Sequence, residues 1–397
     1  MISVFEAKAI IKKQISSLGL IQLNLDDAIG YVVAEDIISP IDVPSFVQSS
    51  MDGYAFAFDD LRDTQSLTIA YTVQAGDANL YKLSSKQAVR IFTGAPLPEG
   101  ADTVLMQEKA KVQGDQLHVL DDALQSGAHA RSIGADIQKG AIAVKRGTLL
   151  TPGAIGFLAS LGIAQVWVTQ KPTVNIIVTG NELQDINKPL TPGKIYESNS
   201  HTLQAGLKAF GINDLTIQKV ADELDAVTSC LKDSLAHYDL TIVTGGISVG
   251  DFDFVLAACE QNAVEQLFHK VKQKPGKPLY IGKKGEKVVC ALPGNPASVL
   301  SCFYNYVSIV LDQLSNSQTE MKMVQATLTN AYKKPLGFTH FLKGRFNYVT
   351  NEVVILEGQE SFMMNPFVFA NCFVEIPESL TEVNPNQLVN IHLFKLS

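Results

Sequence analysis

The chain has 397 residues, of which 46% are hydrophobic and 18% charged, and its formal net charge is −8 at pH 7. Domains cluster at roughly 100–200 residues, so several are expected rather than one core. The acidic balance excludes a general binder of nucleic-acid backbone, which needs many lysines and arginines set against phosphates; any anion site must be local.

Ser3 and Glu6 stand at the capping-box spacing, and Phe5, Ile11, Ile15 and Leu18 follow near the helical period, so the chain opens with a helix. Glu6, Lys8, Lys12 and Lys13 interrupt any apolar core of a signal peptide. No stretch approaches the ~18–20 apolar residues that span a bilayer, so a soluble protein without membrane contact is expected. Cys230, Cys259, Cys290, Cys302 and Cys372 are scattered, odd in number and free of any C-x-x-C pair, which fits a reduced cytoplasmic setting.

From about Val43 to Lys145, short alternating runs (54–58, 67–73, 89–92) are punctuated by glycine and proline at 94–100 and 134–140, the pattern of a β-rich module. Thr151-Pro152 then supplies an N-cap and an N1 proline for a short helix that Gly162 can stop. The β module therefore reads as an insertion between two helical pieces. After Lys171-Pro172 come three largely apolar runs of buried-strand length, 174–178, 240–243 and 288–292, each ending in a glycine-bearing turn. Amphipathic stretches at 200–210, 222–235 and 297–314 alternate with them, which indicates a parallel α/β sheet covered on both faces. From about Glu320 the helical pattern gives way to β-type runs at 341–349, 353–356 and 389–394, read as a small β-barrel or sandwich. The division expected is 1–45 with 141–172 (helical and mixed), 46–140 (inserted, β-rich), 173–318 (α/β) and 319–397 (C-terminal β).

In an open parallel sheet, ligands bind beyond the carboxyl ends of the strands, where all three glycine turns fall. Residues 244–251, Thr-Gly-Gly-Ile-Ser-Val-Gly-Asp, combine unobstructed amides with hydroxyls, as an anion nest does, although a tight turn would read the same. There is no P-loop lysine and no G-x-G-x-x-G. Pro293-Gly294-Asn295-Pro296 fixes a rigid turn before a helix. Lys270, Lys272, Lys274 and Lys277 concentrate positive charge in an acidic chain; such runs are usually solvated, but Pro275-Gly276-Lys277-Pro278 is too constrained for a tail and favours phosphate binding. Glu182, Asp251 and Asp253 lie beside these turns, and Asp52 and Asp136 lie beside glycines of the β module. Each alone also reads as a cap or turn residue, but together they suit Mg²⁺, which takes carboxylates plus substrate phosphate. The seven histidines show no paired ligand spacing, so a zinc hydrolase is not supported.

Taken together, the turns resemble the MoeA/gephyrin E-domain family of molybdopterin molybdenumtransferases over nearly the whole chain. The segments that carry the resemblance are Met51-Asp52-Gly53-Tyr54-Ala55, residues 90–98 (Arg-Ile-Phe-Thr-Gly-Ala-Pro-Leu-Pro), Gly134-Ala135-Asp136, Thr179-Gly180-Asn181-Glu182-Leu183 and Tyr196-Glu197-Ser198-Asn199. Gly245-Gly246-Ile247-Ser248-Val249-Gly250 with Asp253, residues 274–278, and Leu292-Pro293-Gly294-Asn295-Pro296 complete the set. The resemblance implies a MoaB/MogA-like α/β domain and insertion of molybdenum from molybdate into adenylylated molybdopterin, with Mg²⁺-dependent release of AMP. It implies Lys270, Lys274, Lys277, Gly245 and Gly246 on phosphate, with Pro293, Asn295 and Pro296 beside the substrate. Asp136, Glu182, Asp222 and Asp253 would hold Mg²⁺ or position water, and Thr93, Ser248 and Arg131 would meet molybdate. It further implies a homodimer in which the β module of one subunit brings Asp52, Thr93 and Asp136 to the α/β domain of the other, and an adenylyltransferase as partner. Asn181 departs from the family's aspartate, and residues 360–372 depart from its Gly-Ser-Gly-x-Leu opening and Ala-Asn-Gly, so what the C-terminal domain contacts is expected to differ. The alternatives are the preceding adenylyltransferase step, or a non-catalytic scaffold of the gephyrin kind.

Overall fold

The computed structural model of the chain describes residues 1–64, 66–77, 79, 81–247, 254–317 and 321–395. It divides into two compact units, one comprising Met1–Leu23, Gly30–Ala34 and Trp167–Ser397, the other Asn24–Ile29 and Glu35–Val166. No helix among the described residues is long and apolar enough to cross a membrane.

Helix α1 (Val4–Gln14) begins as its sequence dictates: the Ser3 hydroxyl accepts from Glu6 N, and the Glu6 carboxylate accepts from Ser3 N at 2.8 Å. It buries Val4, Ala7 and Ile11. Ile11 and Ile15 are buried as the apolar spacing suggested, but Phe5 points outward at 81% exposure with Val4 inward in its place, and Leu18 lies past the helix end.

In the second unit, β1 (Gln48–Ser49) precedes a sheet built from β2 (Gly53–Phe56), β3 (Ser66–Val73), β4 (Gln87–Ile91), β5 (Thr103–Met106), β6 (Ala110–Gln113) and β7 (Gln116–Val119). Its strand order is β5-β2-β4-β3-β7-β6, antiparallel except for β3 against β4. Gly53 has a steric reason to be glycine: a Cβ there would lie 1.9 Å from the Leu105 carbonyl oxygen on β5. Strand β8 (Ala130–Arg131) pairs with β1. The unit's helix α2 (Pro152–Ser160) starts with the Thr151 hydroxyl accepting from Ala154 N and ends before Gly162, whose φ is 74°.

In the first unit, the α/β sheet contains β9 (Val174–Thr179), β10 (Leu215–Val220), β11 (Leu240–Thr244), β12 (Glu265–His269), β14 (Tyr280–Lys284) and β15 (Lys287–Leu292), while β13 (Gln273–Lys274) lies outside it. The order is β10-β9-β11-β15-β14-β12, and the first four are parallel. Every residue of β9 and β11 is buried, which is why they read as unbroken apolar runs. The parallel α/β sheet expected from the sequence is formed by the first four strands, and two more extend it antiparallel, β14 against β15 and β12 against β14. The edge strands β10 and β12 are only partly buried, and in β14 just Tyr280, Ile281 and Gly282 are buried before two lysines, so these strands leave weaker patterns.

Helices α3 (Asn199–Ala209) and α4 (Leu224–His237) follow β9 and β10, and α5 (Phe254–Gln261) follows β11. One sheet face packs against α1, α3 and the helices after β15, and the other against α4 and α5. The stretch after β15 is broken by a π-helical turn, Phe303–Val307, between α6 (Pro296–Cys302) and α7 (Ser308–Ser315). The chain leaves β9 for β10 on one side and returns to β11 on the other, so a topological switch point lies at the carboxyl ends of β9 and β11.

The last region is a barrel. Strands β16 (Met323–Leu328), β17 (Thr339–Asn347), β18 (Glu352–Ile355), β19 (Cys372–Ile376) and β20 (Leu388–Leu393) run β17-β18-β16-β20-β19, and β19 pairs back to β17 to close the ring. Strand β13 adds in parallel to β17, setting Lys274 opposite His340.

Candidate functional site

A cavity of about 530 Å³ opens at the switch point, lined in part by Thr179, Gly180, Glu182, Asp222, Gly246 and Asn295. Sheet register brings its three turns together: Val178 stands opposite Thr244, and Thr244 opposite Leu292, so β9, β11 and β15 end level. The glycines let the turns meet. At Gly245, φ is 90° and a Cβ would fall 2.6 Å from the Thr179 carbonyl oxygen. A Cβ on Gly294 would have Gly245 Cα as its nearest neighbour, at 4.0 Å.

Gly245 N–H donates to Leu292 O at 3.2 Å, so Gly245 contributes close approach of backbone, while the Gly246 N–H has no acceptor among the described residues. Asp222, just beyond β10, accepts from the Thr179 hydroxyl through Oδ1 at 2.8 Å. The Glu182 carboxylate folds over Gly180, both oxygens 3.0 Å from where a Cβ would stand. Pro293, Asn295 and Pro296 line the wall. Ser248 and Asp253, also expected here, lie outside the described residues.

Glu182 and Asp222 are thus brought to one cavity, but no group of three His, Cys, Asp or Glu side chains able to hold a metal occurs among the described residues. An ion bound by this pair must complete its shell with water or substrate oxygens. That is the mode Mg²⁺ favours, so the donor set fits it.

The lysine run borders this cavity without lining it; Pro278 is the member that reaches the wall. Val271 N donates to Lys277 O at 3.1 Å and Lys270 N to Leu279 O at 2.9 Å, folding 270–279 into a turn. Buried Gln273 holds the turn, donating to Gly276 O at 3.0 Å and accepting from the Tyr306 hydroxyl. A Cβ at Gly276 would stand 2.5 Å from Cys302 Sγ, so the Pro-Gly-Lys-Pro segment is locked onto α6. Lys272 lies 4.0 Å from Glu378. Lys270, Lys274 and Lys277 form no ion pair among the described residues, and Lys274 and Lys277 are exposed. Burial, with Lys334 and Lys274 nearby, pushes the His340 imidazole down to about 4, so it stays neutral beside Lys274 at neutral pH.

Thr179 and Asn199 stand in segments that carry the resemblance and Phe362 in the departing stretch 360–372, but sequence alone assigned no role in the site to any of them, or to Ile195. Asn199 at the start of α3 donates to Gly294 O at 2.9 Å, tying that helix to the 293–296 turn, while its buried Oδ1 has no partner among the described residues. Thr179 had a usable signal, as the strand-end hydroxyl beside glycine; Phe362, an isolated aromatic in a barrel loop, had none.

The second unit carries its own polar cluster. Asp52 Oδ1 accepts from both the backbone N–H and the hydroxyl of Thr93 at 2.8 Å, and these donors, helped by Arg90, hold its carboxyl below the usual range. Arg90 is fixed by Gly53 O at 3.0 Å and Gln107 Oε1 at 2.6 Å and lies against the Tyr54 and Phe92 rings. Asp136 is exposed on a loop whose backbone bonds to Val43 and Pro44. Arg131 is exposed on β8. Among the described residues, neither hydrogen-bonds to the Asp52–Thr93 pair.

Comparison with known proteins gives a consistent result. Family models match at residues 2–162 (MoeA N-terminal region, domains I and II), 175–313 (probable molybdopterin binding domain) and 325–394 (MoeA C-terminal region, domain IV). A protein of Haemophilus influenzae named molybdopterin molybdenumtransferase is 36% identical over 379 residues, covering 94% of this chain and 93% of that one. One of the same name from Bacillus subtilis is 33% identical, covering 94% and 89%. The crystal structure of the molybdopterin biosynthesis MoeA protein from Pyrococcus horikoshii superposes with a TM-score of 0.85 at 28% identity, covering 99% of this chain and 100% of that one.

Proposed function

The chain belongs to the molybdopterin molybdenumtransferase family, and from that premise we propose that it inserts molybdenum from molybdate into adenylylated molybdopterin with release of AMP. The observation that carries this reading is the cavity at the switch point, where Gly246, Asp222 and Glu182 share one wall. Such a wall suits a phosphoanhydride, with an amide for its oxygens and carboxylates for a bridging cation. The match along the full length of the relatives, β module and barrel included, supports insertion rather than adenylylation, which the α/β domain alone would serve.

In this reading Glu182 and Asp222, with Asp253, hold Mg²⁺, Asp222 through the oxygen that Thr179 leaves free. The ion, when bound, supplies neutralisation of charge on the phosphates. Lys270, Lys274 and Lys277 steer and hold phosphate oxygens by charge-assisted hydrogen bonds, while the locked 274–278 segment keeps two of them in place. Pro293, Asn295 and Pro296 form a stiff wall beside the substrate. Thr93, Arg131 and Ser248 supply donors to molybdate.

The working form proposed is a homodimer in which Asp52, Thr93, Arg131 and Asp136 come from the second copy. Exposed Phe46, Val47, Met51 and Ile133, neighbours in sequence of these residues, give that face the apolar character of an interface. An adenylyltransferase would hand over the substrate, and five unpaired thiols fit work in the cytoplasm. The four-part division at 46–140, 173–318 and 319–397, with 1–45 and 141–172 together, belongs to the same proposal. Calorimetric titration with AMP tests the site: saturable binding that tightens with Mg²⁺ is expected, and binding indifferent to Mg²⁺, or none, would overturn the assignment.

A further inference from the structure

We propose that Phe362 is a substrate-contacting residue whose phenyl ring packs on a planar heteroaromatic ring of the ligand, and that Lys343 is the positioning residue that sets it. This rests on the reading that the cavity takes adenylylated molybdopterin.

The cavity wall is mostly glycine, proline, carboxylate and amide. Of its larger apolar side chains, Ile247 is buried, whereas Ile195 and Phe362 are 56% and 62% exposed. An aromatic face left open to a polar cavity is a platform for a flat ring, which gains dispersion and sheds water on stacking.

The loop bearing Phe362 is held as a preformed support. Lys343 on β17 is only 1% exposed, and its ammonium donates to the carbonyls of Gly358, Glu360 and Met363 at 2.6, 3.3 and 2.9 Å. Three carbonyls match the three donors of a lysine, so a buried cation is satisfied by the loop alone. Gln359 adds a second clamp, accepting from Lys343 N and donating to Lys343 O, both at 3.0 Å. On the far side, Ser361 O accepts from Ala297 N at 3.1 Å and Ser361 Oγ from Asn295 Nδ2 at 2.9 Å, which fastens the loop to the cavity's own turn. Phe362 thus sits between two residues whose main chain is fixed, while its side chain stays open. Preorganisation of this kind lowers the cost of ordering a contact on binding.

Adenylylated molybdopterin offers two flat rings, the purine and the pterin, and the test separates them. The probes are AMP, a monophosphorylated pterin, and ribose 5-phosphate as a control without a ring, each titrated with Mg²⁺ into the full-length protein. Phe362→Ala is expected to weaken one ring-bearing probe by about tenfold, leave ribose 5-phosphate unchanged, and be restored by Phe362→Tyr. The affected probe identifies the ring. Lys343→Met is expected to weaken the same probe and to speed amide exchange across 358–363, with Lys343→Arg recovering part of both. Should the methionine variant not fold, the Phe362 arm decides alone. Equal affinity of wild type and Phe362→Ala for both ring probes, or an equal loss for ribose 5-phosphate, overturns the inference and leaves the proposed function standing. A wild-type protein that binds none of the three overturns both.

Discussion

Asp222→Asn is expected to lower molybdate-dependent AMP release by on the order of a hundredfold without unfolding the protein. The substitution is nearly isosteric. Its amide oxygen can still accept from the Thr179 hydroxyl, now 2.8 Å from Asp222 Oδ1, so the junction between the ends of β9 and β10 should survive. What disappears is one of the two described carboxylates facing the cavity, and with it much of the local charge that draws a divalent cation. Turnover at saturating substrate and the unfolding midpoint should be measured together, and more Mg²⁺ should recover part of the rate. A variant within threefold of wild type at all Mg²⁺ concentrations would remove Asp222 from the mechanism.

Asp52→Ala and Lys274→Ala chains, each inactive as homodimers, are expected to recover about a quarter of wild-type activity when mixed and reassembled. Random pairing makes half the molecules heterodimers, and a site built from two subunits leaves one of two sites whole in each. If instead both residues served a site within one chain, every site in the mixture would lack one of them. The exposed Asp52 is poised for such a role because Thr93 supplies two hydrogen bonds to one of its oxygens and keeps the carboxylate ionised. Absence of rescue in mixtures shown by native mass spectrometry to contain heterodimers would refute the shared site.

The α/β framework was legible because its central strands are buried on both faces, so Val174 to Thr179 and Leu240 to Thr244 contain almost nothing a solvent-facing strand would carry. Glycine at 245 then marked where the chain had to pass close to itself. Less could be read where partners decide the outcome. A Gly-Gly pair does not reveal that the first amide is taken by Leu292 O, and a run of lysines does not reveal that its turn reaches the cavity only through Pro278. The edge strand 215–220 and the return strand 265–269 were missed because partial burial blurs their period, and 280–284 because its buried run, Tyr280 to Gly282, is only three residues long before two lysines. Phe362 became meaningful only once the barrel loop was seen fastened to Asn295, a contact between residues 66 positions apart.

Molybdate-dependent AMP release from preadenylylated molybdopterin tests the account most directly. The purified protein, given that substrate with Mg²⁺ and molybdate, should liberate AMP in step with molybdenum entering the molybdopterin product, and ATP with free molybdopterin should yield no adenylylated product. AMP release indifferent to molybdate, or adenylylation of free molybdopterin from ATP, would contradict it.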